Sequence, residues 1–153
     1  MPHFRESPRL KHFDYMGAYA YFITIVTRQR RRAFLDSVLV ASTLELLHRS
    51  LNRYGLNLHA YCCMPDHLHL LLSGDPAASL QDCMRHFKQL SSFDYKKRSG
   101  SELWQTSYYD RVLRSDEDLP SVARYIWGNP VTAGLVQRAE DYQFSGPRPL
   151  PEA

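Results

Sequence analysis

Three features of the chain predict an α+β fold of the ferredoxin-like kind, a βαββαβ antiparallel sheet with helices on one face and a further helix appended at the C-terminal end. Runs rich in aromatic and β-branched residues recur between turn residues. Amphipathic stretches of helical period separate them. Two of the strand-like runs are joined by Pro65-Asp66 alone, too short a connection for anything but an antiparallel pair.

Residues 1–17 mix prolines, charges and aromatics without a period and are expected to form an arm. "AYAYFITIVT", residues 18–27, reads as the first strand because such side chains suit a pleated, half-buried surface. Asp36 or Ser37 can cap a helix carrying Ala41, Leu44, Leu47 and Leu51, with Tyr54-Gly55 ending it. "LNLHAYCCM", residues 56–64, is the second strand and "HLHLLLS", residues 67–73, the third. "GDPAAS" breaks the chain. A second helix then places Leu80, Cys83, Met84, Phe87 and Leu90 on one side and ends in a basic "YKKRSGS" loop. "SYYDRVL" is the fourth strand. Asp116 introduces a third helix through Leu119, Val122 and Ile126, which Pro130 should stop. The tail, residues 146–153, is too rich in proline for regular structure. With no internal repeat, residues 1–153 are expected to form a single domain.

A chain of 153 residues with 44% apolar and 23% charged content can bury a proper core, so disorder is not expected beyond the ends. The net charge of +3 says little about partners. Its clustering says more: Arg28, Arg30, Arg31 and Arg32 lie together, as do Lys96, Lys97 and Arg98. Such clusters contact phosphate backbones or are simply solvated surface. Three cysteines, two of them adjacent, make neither a disulfide framework nor a zinc pattern, and are expected to pack as small hydrophobes. Without a signal segment or a run long enough to span a bilayer, the expected location is the cytoplasm, with no membrane partner.

The sharpest local signal is "DHLHLLLS". Side chains alternate across a strand, so His67, His69, Leu71 and Ser73 share one face while Leu68, Leu70 and Leu72 share the other. The leucine face should pack against the helices, leaving the histidines on the uncovered face. Their Cα atoms would lie roughly 6.5–7 Å apart, and the two rings could converge on one divalent ion at metal–nitrogen distances of ~2.0–2.2 Å. The alternative is a pair of half-exposed histidines that bind nothing. His59, on the neighbouring strand, is a minor candidate for a third ligand.

In "SVARYIWGNPVTAGLV", Tyr125 and Asn129 are four apart and share one side of a helix. Tyr125 would sit at the border of the apolar face, which fits a core-edge tyrosine with Asn129 closing the helix. It also fits a nucleophile, since a phenolic oxygen can attack a phosphodiester. A phenol is protonated at neutral pH and needs assistance. An ion held by the histidines could polarise the phosphate, and Asn129 could supply it an oxygen. Tyr95, Tyr108 and Tyr109 compete for the role, but only Tyr125 has a metal-capable amide one turn on.

Together, "YFITIVTRQRRRAF", "AYCCMPDHLHLLL", "LWQTSYYDRVLRSDEDL" and "YIWGNPVTAGLV" resemble the HUH tyrosine transposases, most closely the REP-associated group. The resemblance runs from about Tyr19 to Phe144. It implies a ferredoxin-like catalytic domain that acts on single-stranded DNA folded into short hairpins. By this similarity His67 and His69 match the metal-binding histidines, Tyr125 matches the nucleophile on the appended catalytic helix, and Asn129 holds the place of the polar residue that completes the metal site. Mg²⁺ or Mn²⁺ is the implied cofactor, with histidine favouring Mn²⁺. The implied reaction is strand cleavage and transfer through a 5′-phosphotyrosine, by a monomer or a homodimer.

Two departures stand out. Asp66 occupies a position that is commonly asparagine, and "DYQFSG" only approximates the usual ending. Arg28, Arg30, Arg31, Arg32, Lys96, Lys97 and Arg98 are the expected phosphate contacts, and Trp104 and Tyr108 could stack on unpaired bases. For these aromatics, core packing is the alternative. At the level of the whole protein, the competing readings are a DNA-hairpin-binding protein without chemistry and a metal-dependent phosphohydrolase using water.

Overall fold

The computed structural model describes residues 5–6, 19–74, 78–113 and 119–150; Asp116, expected to open the third helix, lies outside them. Its elements are β1 (Arg5–Glu6), β2 (Ala20–Val26), α1 (Ser37–Tyr54), β3 (Leu56–Met64), β4 (His67–Gly74), α2 (Leu80–Ser99), β5 (Tyr109–Val112), α3 (Leu119–Thr132) and β6 (Ser145–Gly146), with short 3₁₀ turns between some of them. The sheet order is β1-β5-β2-β4-β3-β6, and every pairing is antiparallel. Its four central strands follow the α+β, ferredoxin-like order expected from the sequence.

Local chemistry sets the helix ends. Asp36 caps α1, its carboxylate accepting from the Val38 N–H at 3.0 Å, and Gly55 closes the helix in the left-handed region at φ 71°. Ser79 caps α2 by accepting from the Asp82 N–H. This helix continues through Lys96, Lys97 and Arg98, which were expected in a loop. Three cations complement the partial negative charge of a helix C-terminus, so the charge cluster extends the helix rather than ending it. Pro130 also fails to stop α3. Proline removes one N–H, but the Ala133 and Leu135 N–H groups still reach back to the Asn129 and Pro130 carbonyls.

The sheet buries both faces, not one. Tyr21, Ile23, Ile25, Leu68, Leu70 and Leu72 pack on one side with Leu39, Leu47 and Leu51 of α1 and Leu80, Met84 and Phe87 of α2. Phe22, Leu71, Ala60, Cys62 and Met64 pack on the other with Val122, Ala123, Ile126 and Trp127 of α3. The face expected to be uncovered is therefore roofed by α3. The apolar run of β2, broken only by Thr24, is the sequence counterpart, because a strand covered on both faces loses its polar alternation. Cys62, Cys63 and Cys83 are buried free thiols, and burial pushes Cys62 and Cys83 up to about 12.

Both ends of the chain add to the sheet where irregular structure was expected. Residues 5–6 pair with β5, and Ser145–Gly146 pair with Cys62 and Tyr61 of β3. The second addition ties α3 down: Trp127 Nε1 donates to the Gly146 carbonyl at 2.7 Å, and Tyr142 Oη donates to the Cys63 carbonyl at 2.7 Å. Gly146 is required by proximity, since a Cβ there would lie 2.8 Å from Tyr61 Oη. Gly146→Ala is expected to destabilise the fold by about 1–3 kcal/mol, visible in calorimetry as a lowered unfolding midpoint.

Candidate active site

The histidine strand is paired on both sides. His69 sits opposite Thr24 of β2 and Cys62 of β3, and His67 opposite Val26 and Met64. Because alternate residues share a face, His67 and His69 come together with ring centroids 4.6 Å apart. His69 is only 4% exposed, under α3. Its Nδ1 shares a 2.9 Å hydrogen bond with Thr24 Oγ1. His67 Nδ1 lies 2.7 Å from an Asp66 carboxylate oxygen.

Tyr125 reaches this face from α3. Its ring lies 5.8 Å from that of Phe22, which lies 5.4 Å from His69, both in edge-on contact. One aromatic ring thus separates the tyrosine from the buried histidine. Tyr125 remains 38% exposed, at the border of the apolar face of α3 as expected, and therefore accessible to a large substrate. Tyr95 is buried and half-buried Tyr108 packs on the α1–α2 side of the sheet, whereas half-buried Tyr109 sits opposite Thr24, on the histidine face but two strands from His69. Asn129 follows one turn after Tyr125, half-buried.

Burial, and then the neighbouring His67, bring the His69 ring down to about 3. Burial also lowers His67, against the opposing pull of Asp66. Burial pushes the Asp66 carboxyl up, but its hydrogen bond to His67 and the charges of His67 and Arg30 outweigh this and hold it below its ordinary range. Both imidazoles are thus neutral at pH 7, the form that ligates a metal. With Nδ1 of each ring engaged by Thr24 or Asp66, Nε2 is the nitrogen that fits an ion, an arrangement common to metal-ligating histidines. Among the described residues no cluster of three or more His, Cys, Asp and Glu side chains forms, so an amide such as that of Asn129, or solvent, would have to complete the set.

A stability consequence follows. In the unfolded chain His69 takes up a proton near its ordinary 6.5, and in the folded protein near 3. Between these values the unfolded state binds more protons, so stability falls as pH drops through the window. The expected loss is on the order of a few kcal/mol, measured as the difference between wild type and His69→Gln in denaturant titrations from pH 7 to pH 3. Wild type should lose more.

The basic clusters have more defined roles than their charge suggested. Arg28 pairs with Glu102 and Arg30 with Asp66, each at 3.0 Å. Arg31 and Arg32 are exposed. Lys96 lines a cavity of about 240 Å³ with Phe93, Glu102 and Trp104, so the two clusters meet around Glu102. Lys97 lies over the Phe93 ring, and Arg98 pairs with Asp94. A basic rim therefore runs from beside His67 to the end of α2.

Two expectations are corrected. Trp104 is 4% exposed, donates its indole N–H to Ser91 Oγ at 2.8 Å and packs on Phe34 and Phe87, so its ring is not available to bases. His59 shares a hydrogen bond with Ser73, four residues from His69 and so about 13 Å along the strand. Thr24 and Phe22 were not singled out from the sequence. "YFITIVT" shows a threonine and a phenylalanine on one strand face, but only the pairing with β4 sets them beside His69.

Residues 16–129 match the family described as transposase IS200 like. A Haemophilus influenzae protein provisionally named a REP-associated tyrosine transposase is 26% identical over 144 residues, spanning 86% of this chain and 81% of that protein. The REP-associated tyrosine transposase of Escherichia coli K12 is 22% identical over 138 residues, 86% of this chain and 78% of that one. A solved structure of a REP-associated tyrosine transposase bound to a REP hairpin shares the fold with a TM-score of 0.73 at 20% identity, over 91% of this chain and 82% of that chain.

Proposed function

Because the chain belongs to the transposase IS200-like family, we propose that it cleaves and rejoins single-stranded DNA at hairpin-forming repeats, with Tyr125 as the nucleophile. The observation that carries this reading is the contact series Tyr125–Phe22–His69–His67, in which one aromatic ring links an accessible phenol to a neutral histidine pair within one chain.

The basic rim holds the phosphate backbone, and the edge beside His67 receives the scissile phosphate. The Tyr125 oxygen forms a bond to phosphorus as the bond to the 3′ oxygen breaks. The phenolic proton is given up and the departing 3′ oxygen gains one, leaving a 5′-phosphotyrosine and a 3′-hydroxyl. Attack by another 3′-hydroxyl reverses the step and joins a new strand, because the phosphotyrosine keeps the reactivity of a diester. His67 and His69, with the Asn129 amide, would hold Mg²⁺ or Mn²⁺, which supplies charge stabilisation at the phosphate. Phe22 closes the apolar side of the site and positions the phenol. REP-like hairpins are the proposed substrate because the relatives carry that name and the fold neighbour is bound to such a hairpin.

The test is to incubate the protein with Mn²⁺ and hairpin oligonucleotides copied from repeats flanking its own gene. A protein–DNA band that survives denaturing electrophoresis is the expected result. Tight binding without an adduct would make this a hairpin-binding protein, and multiple turnover without an adduct would make water the nucleophile.

A further inference from the structure

We propose that Asp66 is a positioning residue of the metal site: it holds His67 in the tautomer whose Nε2 lone pair is open to an ion, and Arg30 in turn holds Asp66. The inference rests on the metal reading of the histidine pair. A carboxylate only accepts hydrogen bonds. A neutral imidazole carries one N–H, so the 2.7 Å contact between His67 Nδ1 and Asp66 places that proton on Nδ1 and leaves Nε2 as the lone-pair nitrogen. The other carboxylate oxygen accepts from Arg30 Nε at 3.0 Å, so neither oxygen is left to rotate toward solvent.

The backbone supports this connection. The segment after β2 is fastened to the Pro65-Asp66 turn: the Thr27 N–H and hydroxyl both lie 3.0 Å from the Asp66 carbonyl oxygen, and the Phe34 N–H donates to the Pro65 carbonyl at 3.0 Å. Between these fastenings Gln29 and Arg30 take φ of 56° and 53°. Non-glycine residues seldom adopt that left-handed region, and it persists where surrounding structure over-determines it. Here it turns Arg30 back onto Asp66. One arginine of the basic rim therefore acts on the metal site through a carboxylate, a role distinct from contact with DNA.

Two measurements on DNA-free protein test the assignment. Two-bond ¹H–¹⁵N correlations of the imidazoles, on metal-free protein at neutral pH, report which nitrogen of His67 carries the proton. Calorimetric titration with Mn²⁺ reports affinity. Wild type should show His67 protonated at Nδ1. Asp66→Ala should shift the proton toward Nε2 and weaken Mn²⁺ binding by ~10–100-fold. Asp66→Asn, whose amide oxygen accepts the same bond, should restore the Nδ1 proton. Arg30→Gln should weaken Mn²⁺ binding by about two- to fivefold, an effect that an arginine serving DNA alone would not have. Thermal melting identifies any variant that is unfolded, and Arg30→Gln leaves the turn intact if Asp66→Ala does not fold. An unchanged His67 tautomer in Asp66→Ala, or unchanged Mn²⁺ affinity in the folded variants, overturns the proposal. Wild-type protein that binds no Mn²⁺ defeats the metal reading of the site, while the tautomer comparison still decides the role of Asp66.

Discussion

Tyr125→Phe is expected to abolish the covalent DNA adduct and lower cleavage by more than ~10³-fold, with hairpin affinity nearly unchanged. The substitution removes one oxygen and keeps the ring. Tyr125 meets Phe22 edge-on at 5.8 Å, a contact phenylalanine can reproduce, so the helix and its packing survive. The rim arginines are also untouched. Chemistry and binding should therefore separate in this variant: a gel without the adduct, beside an anisotropy titration close to wild type. An adduct that persists would move the nucleophile to another tyrosine, and cleavage without an adduct would assign it to water.

His69→Ala is expected to remove Mn²⁺ binding and reduce adduct formation by ~10²–10³-fold, because one of two protein nitrogens is lost and an amide oxygen cannot replace it. It should also cost stability. Thr24 is 7% exposed and its hydroxyl bonds to His69 Nδ1, so the truncation leaves a buried hydroxyl without that partner, at about 1–3 kcal/mol. Single-turnover kinetics across a Mn²⁺ series, with a denaturation curve for each protein, distinguishes the two effects. A His69→Ala protein that folds and forms adduct at the wild-type rate would show that the histidine pair is structural.

These expectations draw on different parts of the chain's information. The bounds of β3, the capping of α1 by Asp36 and the shared face of His67 and His69 were legible because each depends on neighbours within a few residues. The same holds for Tyr125 at the border of α3. Pro130 and the Lys96–Arg98 cluster misled for a local reason. Proline was read as a stop although a helix near its end tolerates one missing donor, and cations were read as a loop although they favour a helix C-terminus. Trp104 misled for another: an indole beside a basic cluster looks the same in sequence whether it faces bases or, as here, the Ser91 hydroxyl.

The sequence by itself determined the strand and helix order, the pairing of two histidines on one strand face and the placing of a tyrosine one turn before an amide, because backbone period and caps act over three or four residues. Only the tertiary structure decided that α3 roofs the histidine face, that Phe22 links Tyr125 to His69 and that Arg30 holds Asp66. Those contacts join segments far apart in the chain: Thr24 and His69 are 45 residues apart, Arg30 and Asp66 are 36, and Tyr142 and Cys63 are 79. Strand register and helix placement set them, and these are settled by burying both sheet faces together, a condition that no local stretch of residues carries.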